Sequence, residues 1–245
     1  MKISIITVAY NSGRTIADTL RSVALQSHPD VEHIVIDGAS TDDTMEQVRQ
    51  HGAHVAKLVS EPDRGIYDAM NKGLALASGD FVGCLNADDM LAGPDTLARM
   101  AQRMSEADMI YGDLVYVDAE QTDRVVRHWN SGPYEASRLR FGWMPPHPTF
   151  YFRRSALPDI RFDLRYRIAA DYDFMVRSLQ GSPRVAYLPE VLVRMRNGGA
   201  SNHSLKAMLK KSSEDLDVIR RHKLGGVLTL ASKNLRKLPQ FLMKS

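Results

Sequence analysis

The feature that most constrains this chain is the alternation of short apolar runs with helically spaced apolar residues over its first hundred residues. The apolar runs lie at 1–9, 31–36, 54–59 and 81–85, and the stretches between them have apolar residues at helical spacing. Near-continuous apolar strands joined by helices are typical of a parallel sheet that is covered on both faces. The pattern therefore predicts an open α/β sheet.

The pattern changes after residue 108, where the apolar runs become shorter and less regular. The expected elements are strands at 109–111, 114–117 and 124–129, a helix at 171–179, and two strands hinged at Pro189 within 184–196. These elements predict a mixed, mostly parallel sheet with flanking helices. A Gly198-Gly199 break then precedes a final segment in which we expect two helices.

The composition excludes several classes of protein. Hydrophobic residues at 44% and charged residues at 25% are ordinary globular values, so the chain is not disordered, collagen-like or a coiled coil. The single cysteine, Cys84, cannot form an intramolecular disulfide, which points to a reducing compartment. No apolar stretch reaches the roughly 18 residues of a spanning helix. We expect a cytoplasmic protein, soluble or peripheral to a membrane.

The net charge of +3 conceals a basic C-terminal segment. Residues 203–245 contain ten Lys and Arg against three acids, a balance of +7, which leaves −4 for residues 1–202. Apolar and basic residues interleave there at helical spacing: Val227, Leu228, Ala231, Leu235, Leu238 and Leu242 with Lys233, Arg236, Lys237 and Lys244. Such a segment either lies on an anionic membrane surface or packs on its own domain with a solvated basic face.

Polar side chains follow four of the predicted parallel strands at the point where each strand ends. They are Tyr10-Asn11, Asp37, the segment 61–64 and the segment 86–89. In open α/β sheets, ligands bind outside the carboxyl ends of the strands. The sequence therefore predicts a site for a polar ligand at this edge.

Two adjacent carboxylates, Asp88 and Asp89, directly follow the apolar run at 81–85. They repel one another unless a cation intervenes, and oxygen ligands suit Mg²⁺ or Mn²⁺ shared with substrate phosphates. The alternative is a helix-capping acid beside a surface acid. Asp171 has the same ambiguity, because an aspartate before an apolar helix is commonly its N-cap.

Five motifs in order resemble glycosyltransferase family 2, with its GT-A (nucleotide-diphospho-sugar transferase) fold, and the bacterial subgroup that builds O-antigen and exopolysaccharide repeats. They are Ile5–Asn11, Asp37–Thr44, Ser60–Gly73, Leu85–Asp89 and Ala169–Asp173. The resemblance covers about residues 3–202. It implies a catalytic domain at 1–202, with a nucleotide-binding half at about 1–107 and an acceptor half at about 108–202, followed by a basic helical extension at 203–245.

The resemblance also implies roles for individual residues. Those that would bind the nucleotide sugar are Thr7, Ala9, Tyr10, Asn11, Asp37, Asp63, Arg64, Asn86, Ala87 and Asp88. Asn86, Ala87 and Asp88 correspond to the D-x-D signature, so metal ligation would fall mainly on Asp88, with Asn86 and Asp89 as further candidates. Asn86 is a neutral oxygen donor where the family has an acid.

Asp171 would be the general base that accepts a proton from the acceptor hydroxyl, and a single base without a covalent nucleophile implies inversion at the anomeric carbon. His147, Trp143 and Arg196 are candidates for contacts with the acceptor or the diphosphate. Each has a structural alternative: a backbone-bonded loop histidine, a packed aromatic ring and an exposed edge-strand arginine.

The expected function is transfer of a sugar, most readily from a UDP-sugar, to a saccharide or polyprenyl-diphosphate-linked acceptor in surface polysaccharide biosynthesis. The expected location is cytoplasmic, including the inner face of the bacterial inner membrane. No G-x-G-x-x-G or P-loop motif is present, which rejects dinucleotide oxidoreductases and P-loop enzymes. A sugar nucleotidyltransferase and a non-enzymatic basic binding module remain as alternatives, and we expect no nucleic-acid partner.

Overall fold

The computed structural model describes residues 1–181, 183–198 and 205–236. Its strands are β1 Ile3–Ala9, β2 Val31–Asp37, β3 Val55–Ser60, β4 Phe81–Cys84, β5 Met90–Leu91, β6 Met109–Val117, β7 Val125–Trp129, β8 Tyr151–Arg153 and β9 Val185–Arg196. Its α-helices are α1 Ile16–Ala24, α2 Thr44–His51, α3 Ile66–Leu76, α4 Thr96–Met104, α5 Ala170–Gln180, α6 Leu205–Arg221 and α7 Val227–Leu235. Across these ranges no helix is long and apolar enough to cross a bilayer.

One mixed sheet runs through both halves of the chain. Its strand order is β3-β2-β1-β4-β8-β6-β9-β5, and β7 pairs with β6. Strands β1 to β4 are parallel, whereas β8 pairs antiparallel with both β4 and β6 and so joins the two halves. This arrangement confirms the α/β class predicted from the alternating pattern.

Strand β1 is buried over its whole length because helices cover both faces of the sheet. Ile5 packs in one apolar cluster with Leu97 of α4, whereas Ile6 packs in another with Met70 of α3. Gly73 allows α3 to approach β1 closely, since a Cβ atom there would lie 2.3 Å from Cγ2 of Ile6. The close approach fixes the start of α3 relative to the strand ends.

The sequence predicted separate strands at 109–111 and 114–117 and a hinge at Pro189, and both predictions are wrong for the described strands. Residues 109–117 form the single strand β6, and 185–196 form the single strand β9, including Pro189. The ladder between them shifts register near Gly112, so that Leu188 pairs with Gly112 and Val191 pairs with Asp113. The irregularity leaves Pro189 outside the paired positions, which removes the need for its missing N–H donor.

Helices α6 and α7 pack on the rest of the domain. Val218, Ile219 and Leu224 belong to the same apolar cluster as Phe174 of α5. The segment 203–245, expected as an extension, therefore shares an apolar core with residues 1–202 over its described part.

The face that α7 buries is not its apolar stripe. Thr229 and Lys233 are buried, whereas Val227, Leu228 and Leu235 are 61%, 87% and 61% exposed. Packing of α7 on its own domain, one of the two expected alternatives, accounts for the buried face with Thr229 and Lys233. The predicted apolar stripe lies on the other face and is exposed to solvent. Leu238, Leu242, Lys237 and Lys244 lie outside the described residues.

The shared core predicts different costs for two truncations of apolar side chains. Ile219→Ala should lower the free energy of unfolding by about 2–5 kcal/mol, because Ile219 is fully buried. Leu228→Ala should change it by less than about 0.5 kcal/mol, because Leu228 is 87% exposed. Urea unfolding of the full chain measures both values, and equal losses would contradict the packing of α6 into the core.

Candidate active site

The ends of β2 and β3 are joined through Asp37. Its carboxylate is fully buried and accepts hydrogen bonds from the backbone N–H of Ser40 at 3.1 Å, from Ser40 Oγ at 2.5 Å and from Ser60 Oγ at 2.6 Å. Asp37 thus fixes the shape of this edge through two serines. A direct hydrogen bond from a nucleotide base to Asp37 remains a prediction.

The end of β1 turns sharply at Asn11, which adopts a left-handed backbone with φ of 50°. Asparagine tolerates this conformation better than most residues. Its Oδ1 accepts the N–H of Thr41 at 2.9 Å, and its own N–H donates to Ser40 Oγ at 2.8 Å. The turn therefore binds the loop after β2 and leaves the preceding Tyr10 at the surface.

Tyr10 and Asp63 converge over Gly38. Tyr10 is 65% exposed. A Cβ atom on Gly38 would lie 2.5 Å from Oδ2 of Asp63 and 3.3 Å from Cδ2 of Tyr10, so glycine is needed for this approach. An exposed aromatic ring beside a carboxylate offers a stacking surface and a hydrogen-bond acceptor, which together suit a nucleoside.

Three other residues predicted to bind the nucleotide do not converge with Tyr10 and Asp63: two are buried and one is paired with another side chain. Thr7 is fully buried, and its hydroxyl is 2.9 Å from Nε2 of His33 inside the sheet, so its side chain is not at the open edge. Ala9 is 4% exposed at the last position of β1. Arg64 is exposed and pairs with Asp68, with Nη2 to Oδ1 at 2.8 Å.

The segment after β4 holds two acids and an amide in a partly buried cluster. Asn86 Nδ2 donates to Asp89 Oδ2 at 3.2 Å, and Thr19 Oγ1 donates to the carbonyl of Asp89 at 2.6 Å. Asp89 is fully buried, Asp88 is half-buried, and Ala87 is 3% exposed. Among the described atoms, Asn86 Oδ1 and Asp89 Oδ1 have no hydrogen-bond partner. Buried oxygens of this kind are suited to a cation.

Arg196 brings a positive charge to these acids from the end of β9. Its guanidinium pairs with Asp18 and donates to the carbonyl of Ala119 at 2.7 Å, and the side chain is 8% exposed. Its charge also acts on both Asp88 and Asp89. The edge-strand alternative for Arg196 does not fit, because the residue is buried beside the acidic cluster.

Burial raises the pKa of Asp88, with the Arg196 charge opposing the shift. Burial, and then the neighbouring charge of Asp88, raises the pKa of Asp89 well above its usual range. The two carboxylates therefore favour a bound cation when both are ionised. No group of three or more His, Cys, Asp or Glu within the described ranges could hold a metal. Two acids and an amide would thus need further oxygen ligands, such as phosphates.

Asp171 is the second residue of α5, and the N-cap is Ala169, so Asp171 is not the helix cap. Its Oδ1 lies 3.3 Å from the hydroxyl oxygen of Tyr67 and accepts the N–H of Tyr172 at 2.8 Å. Tyr67 lies at the start of α3, directly after the segment 61–64. This contact ties Asp171 to the edge where the parallel strands end.

His147 lies near Asp171, and Trp143 does not line the edge. Burial lowers the pKa of His147, and the charge of Asp171 opposes that shift. The His147 ring contacts the ring of Phe162 edge-on, with 5.6 Å between the ring centroids. Trp143 is 5% exposed and donates from Nε1 to the carbonyl of Ser131 at 2.9 Å, which is a packing role.

Asp173, the last residue of the fifth motif, is a buried acid and neither a helix cap nor a surface residue. Asp173 is 1% exposed, with Oδ1 at 2.8 Å from Nε2 of His222 and Oδ2 at 2.8 Å from Arg177 Nε. Local sequence carries no signal for the contact with His222, because that residue is 49 positions away.

A cavity of about 300 Å³ lies away from these residues. It is lined by the end of α3, Val82 near the start of β4, Phe152 and the segment 154–161. None of the residues assigned above lines it, so the candidate site is the open edge of the sheet.

The fold and the acidic edge define a class of α/β enzyme that binds polar, phosphate-bearing ligands outside its strand ends. The family model described as Glycosyl transferase family 2 matches residues 4–163, which is more than half of the chain. The chain therefore belongs to glycosyltransferase family 2, as the five motifs predicted.

Individual relatives agree with this assignment. A PGL/p-HBAD biosynthesis glycosyltransferase of Mycobacterium bovis is 33% identical over 208 residues, covering 81% of this chain and 78% of that protein. S. aureus TarS 1-349 in complex with UDP superposes with a TM-score of 0.69 at 24% identity, covering 99% of this chain and 71% of that one. Glucosyl-3-phosphoglycerate synthase from Mycobacterium tuberculosis, in complex with Mn²⁺, UDP and glucosyl-3-phosphoglycerate, superposes with a TM-score of 0.63 at 20% identity. The superposition covers 90% of this chain and 79% of that one. These superpositions confirm the GT-A fold.

The crowding of carboxylates predicts that Asp88→Asn stabilises the metal-free protein. The amide removes a charge that burial opposes and that repels Asp89. We expect the melting temperature in EDTA to rise by about 2–4 °C, equivalent to about 1 kcal/mol for a domain of this size. Asp30→Asn is the matched control, because Asp30 is exposed. A lower melting temperature for the Asp88 variant would contradict the repulsion.

Proposed function

We propose that this enzyme transfers a sugar from a nucleotide-diphosphate sugar to an acceptor hydroxyl, with inversion at the anomeric carbon. The observation that carries the proposal is the presence of two separate acidic centres at one edge of the sheet. Asp88 and Asp89 form one centre with unpartnered buried oxygens nearby, and Asp171 forms the other, held by Tyr67. One centre suits a metal diphosphate, and the other suits proton transfer.

The nucleoside would lie on Tyr10 and Asp63 beside Gly38. The exposed Tyr10 ring can stack on a base, and the Asp63 carboxylate can accept a hydrogen bond from a base or ribose. A UDP-sugar is the preferred donor. UDP is bound in the TarS structure and in the glucosyl-3-phosphoglycerate synthase structure, which supports this choice.

Asp88 would be the main ligand of Mg²⁺ or Mn²⁺, with Asn86 Oδ1 and Asp89 as further oxygen donors. When bound, the divalent cation stabilises negative charge on the departing diphosphate. The unpartnered oxygens after β4 fit such an ion, and Mn²⁺ is bound in the synthase structure. Arg196 adds a fixed positive charge beside the same acids.

Asp171 would act as the general base. A carboxylate oxygen of Asp171 accepts the proton of the acceptor hydroxyl while that oxygen bonds to the anomeric carbon. The bond from the anomeric carbon to the diphosphate breaks, and the electron pair leaves with the nucleotide. Attack on the face opposite the leaving group inverts the configuration. His147, whose pKa the charge of Asp171 affects, would contact the acceptor in this arrangement.

The acceptor in this proposal is a saccharide linked to polyprenyl diphosphate, in O-antigen or exopolysaccharide biosynthesis. Support comes from the outward surface of α6 and α7. Of the three acids of α6, Glu214 binds the backbone of 167–169 and Asp215 is buried against Lys233, whereas Asp217 is exposed and accepts the hydroxyl of Tyr166. The other exposed side chains of α6 and α7 are mostly apolar or basic, which fits an anionic membrane.

Asp171→Asn should lower kcat by about 10² to 10⁴, the range expected for loss of a general base, while UDP affinity is retained. The assay is nucleoside diphosphate release from UDP-GlcNAc, UDP-glucose and GDP-mannose, each with Mn²⁺ and with water as the acceptor. Asp159→Asn, at an exposed position, is the control. Unchanged turnover would remove Asp171 from the mechanism.

The full chain should co-sediment with phosphatidylglycerol vesicles and not with phosphatidylcholine vesicles. Replacing the exposed Leu228 and Leu235 by serine should reduce binding about tenfold or more, because both side chains would enter the interface. Leu58→Ser is the matched control, since Leu58 is 44% exposed on β3. Point variants are preferred to truncation, which would remove Ile219 from the core. A full chain that stays in the supernatant would contradict membrane binding.

A further inference from the structure

The backbone that leads into the helix carrying Asp171 is held by a side chain from α6. Glu214 accepts three consecutive backbone N–H groups, from Arg167 at 3.2 Å, Ile168 at 2.8 Å and Ala169 at 3.0 Å. The N–H groups at a helix start lack partners within the helix, and a carboxylate there is favoured by the helix dipole. Glu214 therefore binds the backbone directly before α5, up to its N-cap Ala169, from another element.

The same residue, Ile168, is also bound by α3. Tyr67 donates its hydroxyl to the carbonyl of Ile168 at 2.8 Å and lies 3.3 Å from Oδ1 of Asp171. Ile168 thus has its N–H bound by Glu214 and its carbonyl bound by Tyr67. The position of Asp171 depends on both contacts, because Asp171 lies only two positions after Ala169.

Three further pairs fix the residues on either side of Asp171 to the C-terminal helices. Tyr166 donates to Asp217 Oδ2 at 2.6 Å, and His222 Nε2 lies 2.8 Å from Asp173 Oδ1. The third pair is Lys233 with Asp215, whose Nζ and Oδ1 are 2.5 Å apart, and Lys233 Nζ lies 3.4 Å from the ring centroid of Tyr172. These contacts lie around Asp171, whose carboxylate makes no hydrogen bond to the described residues of α6 or α7, although it interacts electrostatically with Lys233.

We propose that Glu214 is a positioning residue for sugar transfer, fixing the backbone of 167–169 so that Asp171 faces the acceptor hydroxyl. This inference rests on the proposed role of Asp171 as the base. The family model ends at residue 163, so both Glu214 and the segment that it holds lie beyond the matched region. A displacement of about 1 Å in a catalytic group can reduce a rate by about 10².

The experiment is a double-mutant cycle with Glu214→Gln and Asp171→Asn. The amide places N–H donors where one carboxylate oxygen accepted a backbone N–H, so the segment 167–169 shifts. In the wild-type background we expect kcat for nucleoside diphosphate release to fall about 10- to 100-fold, with the donor KM changed less than twofold. In the Asp171→Asn background Glu214→Gln should cause no further loss, because no base remains to be positioned.

Two controls separate positioning from general damage. Lys210→Met removes the half-exposed partner 4.0 Å from Glu214 and should leave kcat unchanged, and Glu106→Gln tests the same chemical change at an exposed site. An equal loss from Glu214→Gln in both backgrounds, or no loss in the wild type, would overturn the proposal. If Asp171→Asn alone leaves kcat unchanged, the base assignment fails first.

A measurement on the unmodified protein covers the case in which Glu214→Gln does not fold. Hydrogen exchange of the native full chain should show the Ile168 and Ala169 amides protected at least about 100-fold relative to an unstructured peptide. These amides precede the first turn of α5, so their protection depends on Glu214. Exchange at the unprotected rate would overturn the role of Glu214.

Discussion

The structure depends on the crowding of ionisable oxygens at the end of β4. Asp89 is fully buried, Asp88 is adjacent to it, and burial raises the pKa of both. A purely structural cluster would satisfy these oxygens with hydrogen bonds, as the cluster around Asp37 does with Ser40 and Ser60. Asn86 Oδ1 and Asp89 Oδ1 after β4 instead have no hydrogen-bond partner among the described residues, which costs stability and is the basis of the proposed cation site.

The second half of the chain holds the proposed base, Asp171, in place through strand pairing and hydrogen bonds. Strand β8 pairs with β4, so the sheet continues from the acidic edge into the half that carries α5. Helix α6 and the residue that follows it then bind the residues around Asp171 through Glu214, Asp217 and His222. The C-terminal helices therefore have an inner face that contacts the residues around Asp171, and an outer face on which the proposed membrane contact would form.

Local periodicity predicted β1 to β4 and the polar residues at their ends, because buried parallel strands are near-continuous apolar runs. It did not predict that Thr7 faces His33 within the sheet, or that β9 continues through Pro189, since pairing with distant strands decides both. Local periodicity also did not predict that Lys233 is buried, because its burial depends on Asp215, 18 positions away. With Lys233 on the buried face of α7, Leu228 is exposed to solvent, although apolar side chains are usually the buried ones.

The most direct test is the binding of UDP with and without Mn²⁺, followed by the shift in melting temperature of the full chain. A ligand that binds only the folded state raises that temperature in proportion to its affinity. We expect UDP to raise the melting temperature strongly when Mn²⁺ is present and only slightly in EDTA. In Asp88→Ala the additional rise caused by Mn²⁺ should be lost. Equal UDP shifts with Mn²⁺ and in EDTA, unchanged by the variant, would contradict this expectation.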